Sequence, residues 1–216
     1  MGTITRSFAN NITTSGVLLP ASLTNNSIAN VTSYNAAVAT GNMVLISSQT
    51  ASNSASISFT TGIDSTYKEY QFYFIDIHGR SDGEFLSFNL STDSGSNYNV
   101  TKTTTAFRAY HDQADTTAVL GYDGGQDLAQ STAFQNIGTT GNAAKESLGG
   151  YLSLFNPAST TYVKHFIGVH NGYTYDDANF NVFTAGYGNT TSAVNAVQFK
   201  MTSGNFDGTI LLYGIV

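Results

Sequence analysis

The stretch that decides the fold is "EYQFYFIDI", residues 69–77. Tyr70, Phe72 and Phe74 alternate with Gln71, Tyr73 and Ile75. A period of two is the pattern of a β-strand. Bulk stands on both sides of the alternation, so the reading predicts a central strand buried on both faces. The segment that follows, "GEFLSFNLS" at 83–91, places Leu86, Phe88 and Leu90 on one side and Ser87 and Asn89 on the other. That pattern predicts a half-buried strand. "TDSGSNY" at 92–98 then supplies a turn, because Asp and Asn tolerate left-handed backbone and Gly95 adopts it freely.

The same grammar extends in both directions. Upstream are "MVLISS" (43–48) and "SASISFTT" (54–61). Downstream of a weaker region, 99–147, come "GGYLSLFN" (149–156), "TTYVKHFIGVH" (160–170), "NFNVFTAGY" (179–187), "NAVQFKM" (195–201) and "GTILLYGIV" (208–216). Within the weaker region "TTTAFRAYH" and "TTAVLGY" read as shorter strands, and "TGNAAKESL" (140–148) is the sole helix candidate. About eight strong strands separated by Gly, Asn, Asp and Ser turns predict an all-β fold, a β-sandwich of jelly-roll type. The closing strand is expected to pair deep in a sheet.

Residues 1–42 read differently. No charged residue falls between Arg6 and Asp64, and Ser, Thr, Asn and Ala dominate the segment. Its apolar residues, among them Ile4, Phe8, Ile12, Val17, Leu18, Leu19, Leu23 and Ile28, follow neither strand nor helix period. Such a segment cannot bury enough apolar area to fold alone. It reads as an extended N-terminal arm that orders by lying on something else: its own domain, a sister subunit or another protein. Residues 43–216 form the expected sandwich domain.

Composition narrows the function. The chain has 216 residues, 41% hydrophobic and only 10% charged, against about 25% charged in ordinary globular proteins. Its surface must therefore be rich in neutral hydrogen-bonding groups, which suits packing against other copies or facing the open environment. The net charge is −6 and the eight basic residues are scattered from Arg6 to Lys200. Phosphate binding needs clustered cations, so nucleic acid is not an expected partner. The absence of cysteine excludes disulfide scaffolds and thiolate chemistry. No apolar run approaches the length of a membrane helix, about 18 residues, and "MGTITRSFANN" lacks the apolar core of a secretion signal. No membrane partner is expected.

Reactive chemistry is sparse. His165 and His170 are five apart on one strand, so they point to opposite faces and cannot clamp one ion. His165, sharing its side with Val163, Ile167 and Val169, reads as a core or interface histidine. His78 with Asp76, Asp82 and Glu84 could be drawn as a cluster, but "HGRSDGE" is also an ordinary polar turn. "STDSGSN" alternates oxygens as a calcium loop does, yet lacks its terminal Glu. Most of the 14 carboxylates sit in turn contexts such as "YDGG" and "NFDG", where Asp serves backbone hydrogen bonds. No metal, cofactor or catalytic residue is expected, and no enzyme. Four tyrosines in loop-like contexts, Tyr110, Tyr122, Tyr173 and Tyr175, are candidates for contact with a glycan or a protein surface.

"MGTITRSFANNITTSGV", "IDSTYKEYQFYFIDIH", "FNLSTDSGSNYN", "FNPASTTYVKHFI" and "FKMTSGNFDGTILLYGI" together resemble virion structural proteins of tailed phages, above all marine phages that infect cyanobacteria. The resemblance implies a non-enzymatic virion protein, commonly a homotrimer, of the capsid decoration or tail fibre kind, assembled in the host cytoplasm. Other virion proteins of the capsid or tail would be its partners. A receptor-binding role toward host surface glycans is the alternative.

Overall fold

The computed structural model describes residues 42–216, and these are all-β. The arm, with Ile4, Phe8, Ile12, Val17, Leu18, Leu19, Leu23 and Ile28, falls outside the described residues. Twelve strands follow in chain order: β1 Met43–Ser54, β2 Ile57–Phe59, β3 Glu69–Gly79, β4 Phe85–Ser91, β5 Lys102–Asp112, β6 Ala118–Tyr122, β7 Gln135–Thr139, β8 Leu148–Phe155, β9 Lys164–Tyr173, β10 Ala178–Gly188, β11 Ala196–Met201 and β12 Phe206–Ile215. They form two antiparallel sheets. The larger runs β1-β12-β3-β8-β9-β10-β5-β6 and the smaller β2-β11-β4-β7. This is the expected all-β, sandwich-like architecture, with twelve strands where about eight were foreseen.

The sheets meet through an aromatic core. Phe199 of β11 lies 5.1 Å from Phe72 and 5.2 Å from Phe74 of β3, ring centre to ring centre, both edge-to-face. Phe59 closes the group at 5.4 Å from Phe72, and Phe88 meets Phe166 at 5.0 Å. All six rings are buried. Rings of this size dominate apolar burial, and edge-to-face pairs add to it.

Four sequence expectations change. The β3 strand is buried on one side only: Tyr70, Phe72 and Phe74 fill the core, whereas Tyr73 is half-buried and Ile75 exposed on the far side. The β4 strand is the one buried on both sides. Asn89, predicted to face solvent, is fully enclosed and donates to the carbonyls of Tyr98 (2.7 Å) and Thr132 (2.9 Å) in the connections that lead into β5 and β7. Loops, not a sheet, cover that face, so polar side chains are needed there to satisfy backbone groups. The segment 103–111 belongs to an 11-residue strand, and 140–148 forms turns rather than a helix before β8 begins at Leu148. β7, short and led by the buried Gln135, carries too little pattern to be read from sequence.

The closing strand behaves as predicted. β12 pairs with β1 on one side and β3 on the other. Ile210 and Leu212 are buried in the core, while Leu211 and Tyr213 stand on the opposite face.

Candidate functional surfaces

Two surfaces follow from the inequality of the sheets. An eight-stranded sheet over a four-stranded one leaves a broad outer face and an inner flank at β5 and β10 that the smaller sheet covers only in part, where loops help bury Phe180, Val182 and Thr184.

The outer face carries a row with one residue from each strand of the larger sheet: Ser48, Leu211, Tyr73, Tyr151, Val169, Phe183, Phe107 and Tyr122, paired neighbour to neighbour by register. The adjacent row reads Leu45, Tyr213, Gln71, Ser153, Ile167, Ala185 and Thr105. Neither row holds a charge. Phe107 and Phe183 stack with centroids 4.8 Å apart, Tyr73 meets Tyr213 edge-on at 5.7 Å, and Ile167 is 48% exposed. Beside Ile167, the small side chain of Ala185 leaves a shallow groove of about 460 Å³ bordered by Thr105, His165 and Tyr187. An ordinary antiparallel sheet turns polar residues to water on its outer face. This one turns apolar and aromatic groups outward among uncharged polar ones such as Gln71 and Thr105, the pattern of an interaction surface.

His165 and His170 point to opposite sides, as their spacing requires. His165 is exposed on the outer face near Tyr187, so it is no core residue; His170 takes the core position. The His170 ring packs 5.3 Å from Phe74, and both ring nitrogens lack a hydrogen-bond partner. Burial drives its pKa down to about 3, because a charged imidazolium would lose its water with nothing in exchange.

The inner flank forms a cleft of about 270 Å³. Arg108 and Tyr110 on β5 and Phe180 on β10 supply its floor; Gly83, Phe85, Thr139, Thr174, Tyr175 and Asp176 supply its walls. The Tyr110 hydroxyl donates to Asp176 Oδ2 at 2.9 Å, and Thr174 donates to Asp176 Oδ1 at 2.5 Å. The first of these bonds is the main cause of a raised pKa at Tyr110. The Arg108 guanidinium lies 5.5 Å from the Phe180 ring centre and donates to Asp123 at 3.0 Å. Tyr175, 55% exposed, lies against Gly83, where an added Cβ would stand 3.3 Å from the ring.

Two of the four candidate tyrosines, Tyr110 and Tyr175, thus come together in one cleft. Tyr173 lies in a neighbouring hollow with His111, Asp112 and Asn171, bonded to Asp177, with Lys145 5.0 Å from its ring centre. The Tyr173 hydroxyl is the leading cause of a lowered pKa at Asp177. Tyr122 stands on edge strand β6 on the outer face, its hydroxyl donating to Asp127 at 2.6 Å. Arg108, Phe180 and Asp176 were missed from sequence; the "TYDD" run and the alternation through β5 were the signals present.

The remaining candidate clusters resolve into backbone-holding turns. His78 Nδ1 lies 2.6 Å from the carbonyl of Glu146. Asp93 accepts from Ser91, Asn97 Nδ2 and the Asn97 amide within its own turn, and the Ser91 bond leads the causes that lower its pKa to about 2. Among the described residues, no group of three or more His, Asp or Glu is arranged to hold a metal ion.

Comparison with protein-family models, with curated proteins and with solved structures returns no match to this chain.

Proposed function

We propose that this chain is a non-enzymatic structural protein of a virus particle, of the capsid decoration or tail fibre kind, that packs against copies of itself through the outer face of its larger sheet. The charge-free rows of that face, rich in aromatic and aliphatic side chains, carry the reading. A surface with Leu45, Ile167, Phe107 and Phe183 turned outward is costly to leave in water. Its occupant is a second copy. In a chain with only 10% charged residues and a net charge of −6, an uncharged face lets like subunits meet without like-charge repulsion. The sequence resemblance to phage virion proteins supports the same reading and suggests three copies. The arm, residues 1–42, whose composition is too poor in apolar residues to form a core of its own, is the segment assigned to hold the protein on the particle.

Sedimentation of the full chain tests the packing. A defined oligomer is expected, and Phe183→Asp should release monomers that keep the wild-type circular dichroism. A monomeric wild-type chain would sink the packing. The role of the arm is tested by deleting residues 1–40 and measuring incorporation into particles; unchanged incorporation would refute it. Copy number per particle separates sites on the head, in the hundreds, from sites on tail or fibre, a few to a few dozen.

A further inference from the structure

From the cleft on the inner flank of the larger sheet, we infer a binding site for a neutral saccharide, with Tyr175 as the stacking platform and Asp176 as the hydroxyl acceptor. This inference does not rest on the particle reading.

The cleft exists because the smaller sheet stops short. Arg108, Tyr110 and Phe180 point to the inner side of β5 and β10, where a full second sheet would have required apolar residues. Arg108 and Tyr110 carry polar ends beside the apolar Phe180 ring, and the three border the β9–β10 turn in one cleft. That turn is held by its own bonds: the Thr174 amide donates to the carbonyl of Ala178 at 3.0 Å, the Asp177 amide donates to the carbonyl of Thr174 at 3.1 Å, and Asp177 takes a left-handed φ of 55°. The site is therefore set in place before a ligand arrives, which lowers the ordering cost of binding.

Each wall offers what a pyranose needs. Tyr175 rests against Gly83 and is 55% exposed, leaving ring surface for the apolar C–H face of a sugar. The Asp176 carboxylate is oriented by Tyr110 and Thr174, one bond to each oxygen. Each carboxylate oxygen accepts about two hydrogen bonds, so both can still receive a sugar hydroxyl. On the other side, Arg108 holds Asp123 through one nitrogen and retains further N–H donors for a sugar oxygen.

Other ligand classes fit less well. Arg108 is balanced by Asp123, and Asp176 adds a negative charge, so phosphate, sulfate and acidic sugars meet no net cation. Calcium takes about six or more oxygen ligands. Among the described residues Asp176 is the one carboxylate lining the cleft, and it is tied to Tyr110 and Thr174. The volume, about 270 Å³, suits one sugar ring rather than a long chain.

The test is a chemical-shift titration of the ¹⁵N-labelled full chain. The probes are methyl glycosides of glucose, galactose, mannose, fucose and N-acetylglucosamine, each raised to about 50 mM, a range that captures the millimolar affinities usual for single sugars. At least one should shift amides around Tyr110, Tyr175 and Asp176, while sialyllactose should not do so through its sialic acid. Tyr175→Ala and Asp176→Asn should each weaken binding at least tenfold with the rest of the spectrum intact; Tyr122→Ala should leave it unchanged. If no probe shifts those amides, or if Tyr175→Ala binds as well as wild type, the inference is overturned. A chain that binds sugar yet stays monomeric would keep this site and remove the packing reading; the reverse result would separate them the other way.

Discussion

The rings of Phe107 on β5 and Phe183 on β10 lie 4.8 Å apart and within 6° of parallel, on the side of the larger sheet turned away from the smaller. Cross-strand aromatic pairs of this kind stabilise a sheet by roughly 0.5–1.5 kcal/mol beyond their buried area. Both rings are nevertheless more than a third exposed. Fold stability alone leaves the apolar surface of this pair, and of the row that runs through it, unused.

Phe183→Asp should therefore separate folding from association. The loss in unfolding free energy is expected to stay near 1 kcal/mol, because only the stacking and a little area are removed. Association should fall far more, since a carboxylate would be desolvated at the centre of the contact. Urea unfolding at low protein concentration and sedimentation at high concentration read the two effects. Equal losses in both would argue against the outer face as a contact.

His170 should make the domain acid-sensitive. Its pKa is pushed from 6.5 to about 3 in the fold, so the unfolded chain takes up a proton first as pH falls. The stability tied to its neutral form is whole above about pH 6.5 and is lost progressively down to about pH 3. At pH 4.5 the loss is about 3 kcal/mol. Urea unfolding at pH 7 and pH 4.5 should show this drop, and His170→Leu should remove most of it. An identical pH slope in that variant would refute the assignment.

Lys164 is fully buried, and its ammonium donates to the carbonyls of Ser159 (2.7 Å), Tyr162 (2.6 Å) and Thr190 (3.3 Å). It ties the β8–β9 connection to the β10–β11 connection. Lys164→Met would fill the space but leave those carbonyls without their donor. The expected cost is about 2–4 kcal/mol, given 1–3 kcal/mol for each buried group left unsatisfied and some rescue by water. Thermal unfolding measures it; a methionine variant as stable as wild type would show the cage to be unimportant.

Gly208 opens β12 at φ 122°, beside a register shift between Asp207 and Thr209. An added Cβ would stand 2.7 Å from the Asp76 carbonyl oxygen and 2.8 Å from the Ile77 Cα. Both are backbone atoms on the neighbouring strand and cannot swing aside. Gly208→Ala is expected to cost at least about 2 kcal/mol, from strain at a conformation that alanine avoids and from the clash. A change under 0.5 kcal/mol in urea unfolding would contradict the close approach.

Much of the fold was legible because alternation is local. "EYQFYFIDI", "NFNVFTAGY" and "TILLYGI" announce strands whatever they pack against, and each is a strand. What the pattern could not assign was which face meets the core. In β3 both sides carry aromatic bulk, yet only Tyr70, Phe72 and Phe74 are buried; in β4 the polar side carries Ser87 and Asn89, yet both are enclosed. Burial on the second face depends on the loops that cross it, and those are set by connections far along the chain. The cleft was half legible: Tyr110 and Tyr175 were marked, but their union with Arg108 and Phe180 requires β5 and β10 to pair, residue 110 against residue 180.

Composition and periodicity by themselves established an all-β chain, poor in charge, without thiol chemistry and with a closing strand set inside a sheet, because these are properties of residue type and nearest-neighbour spacing. The unequal division into eight and four strands came only from long-range pairing. That division leaves one broad face with charge-free rows and one flank that loops help close over. Register then aligns residues as distant as Leu45 and Tyr213 into a single row, and no spacing along the chain encodes which strands will lie side by side.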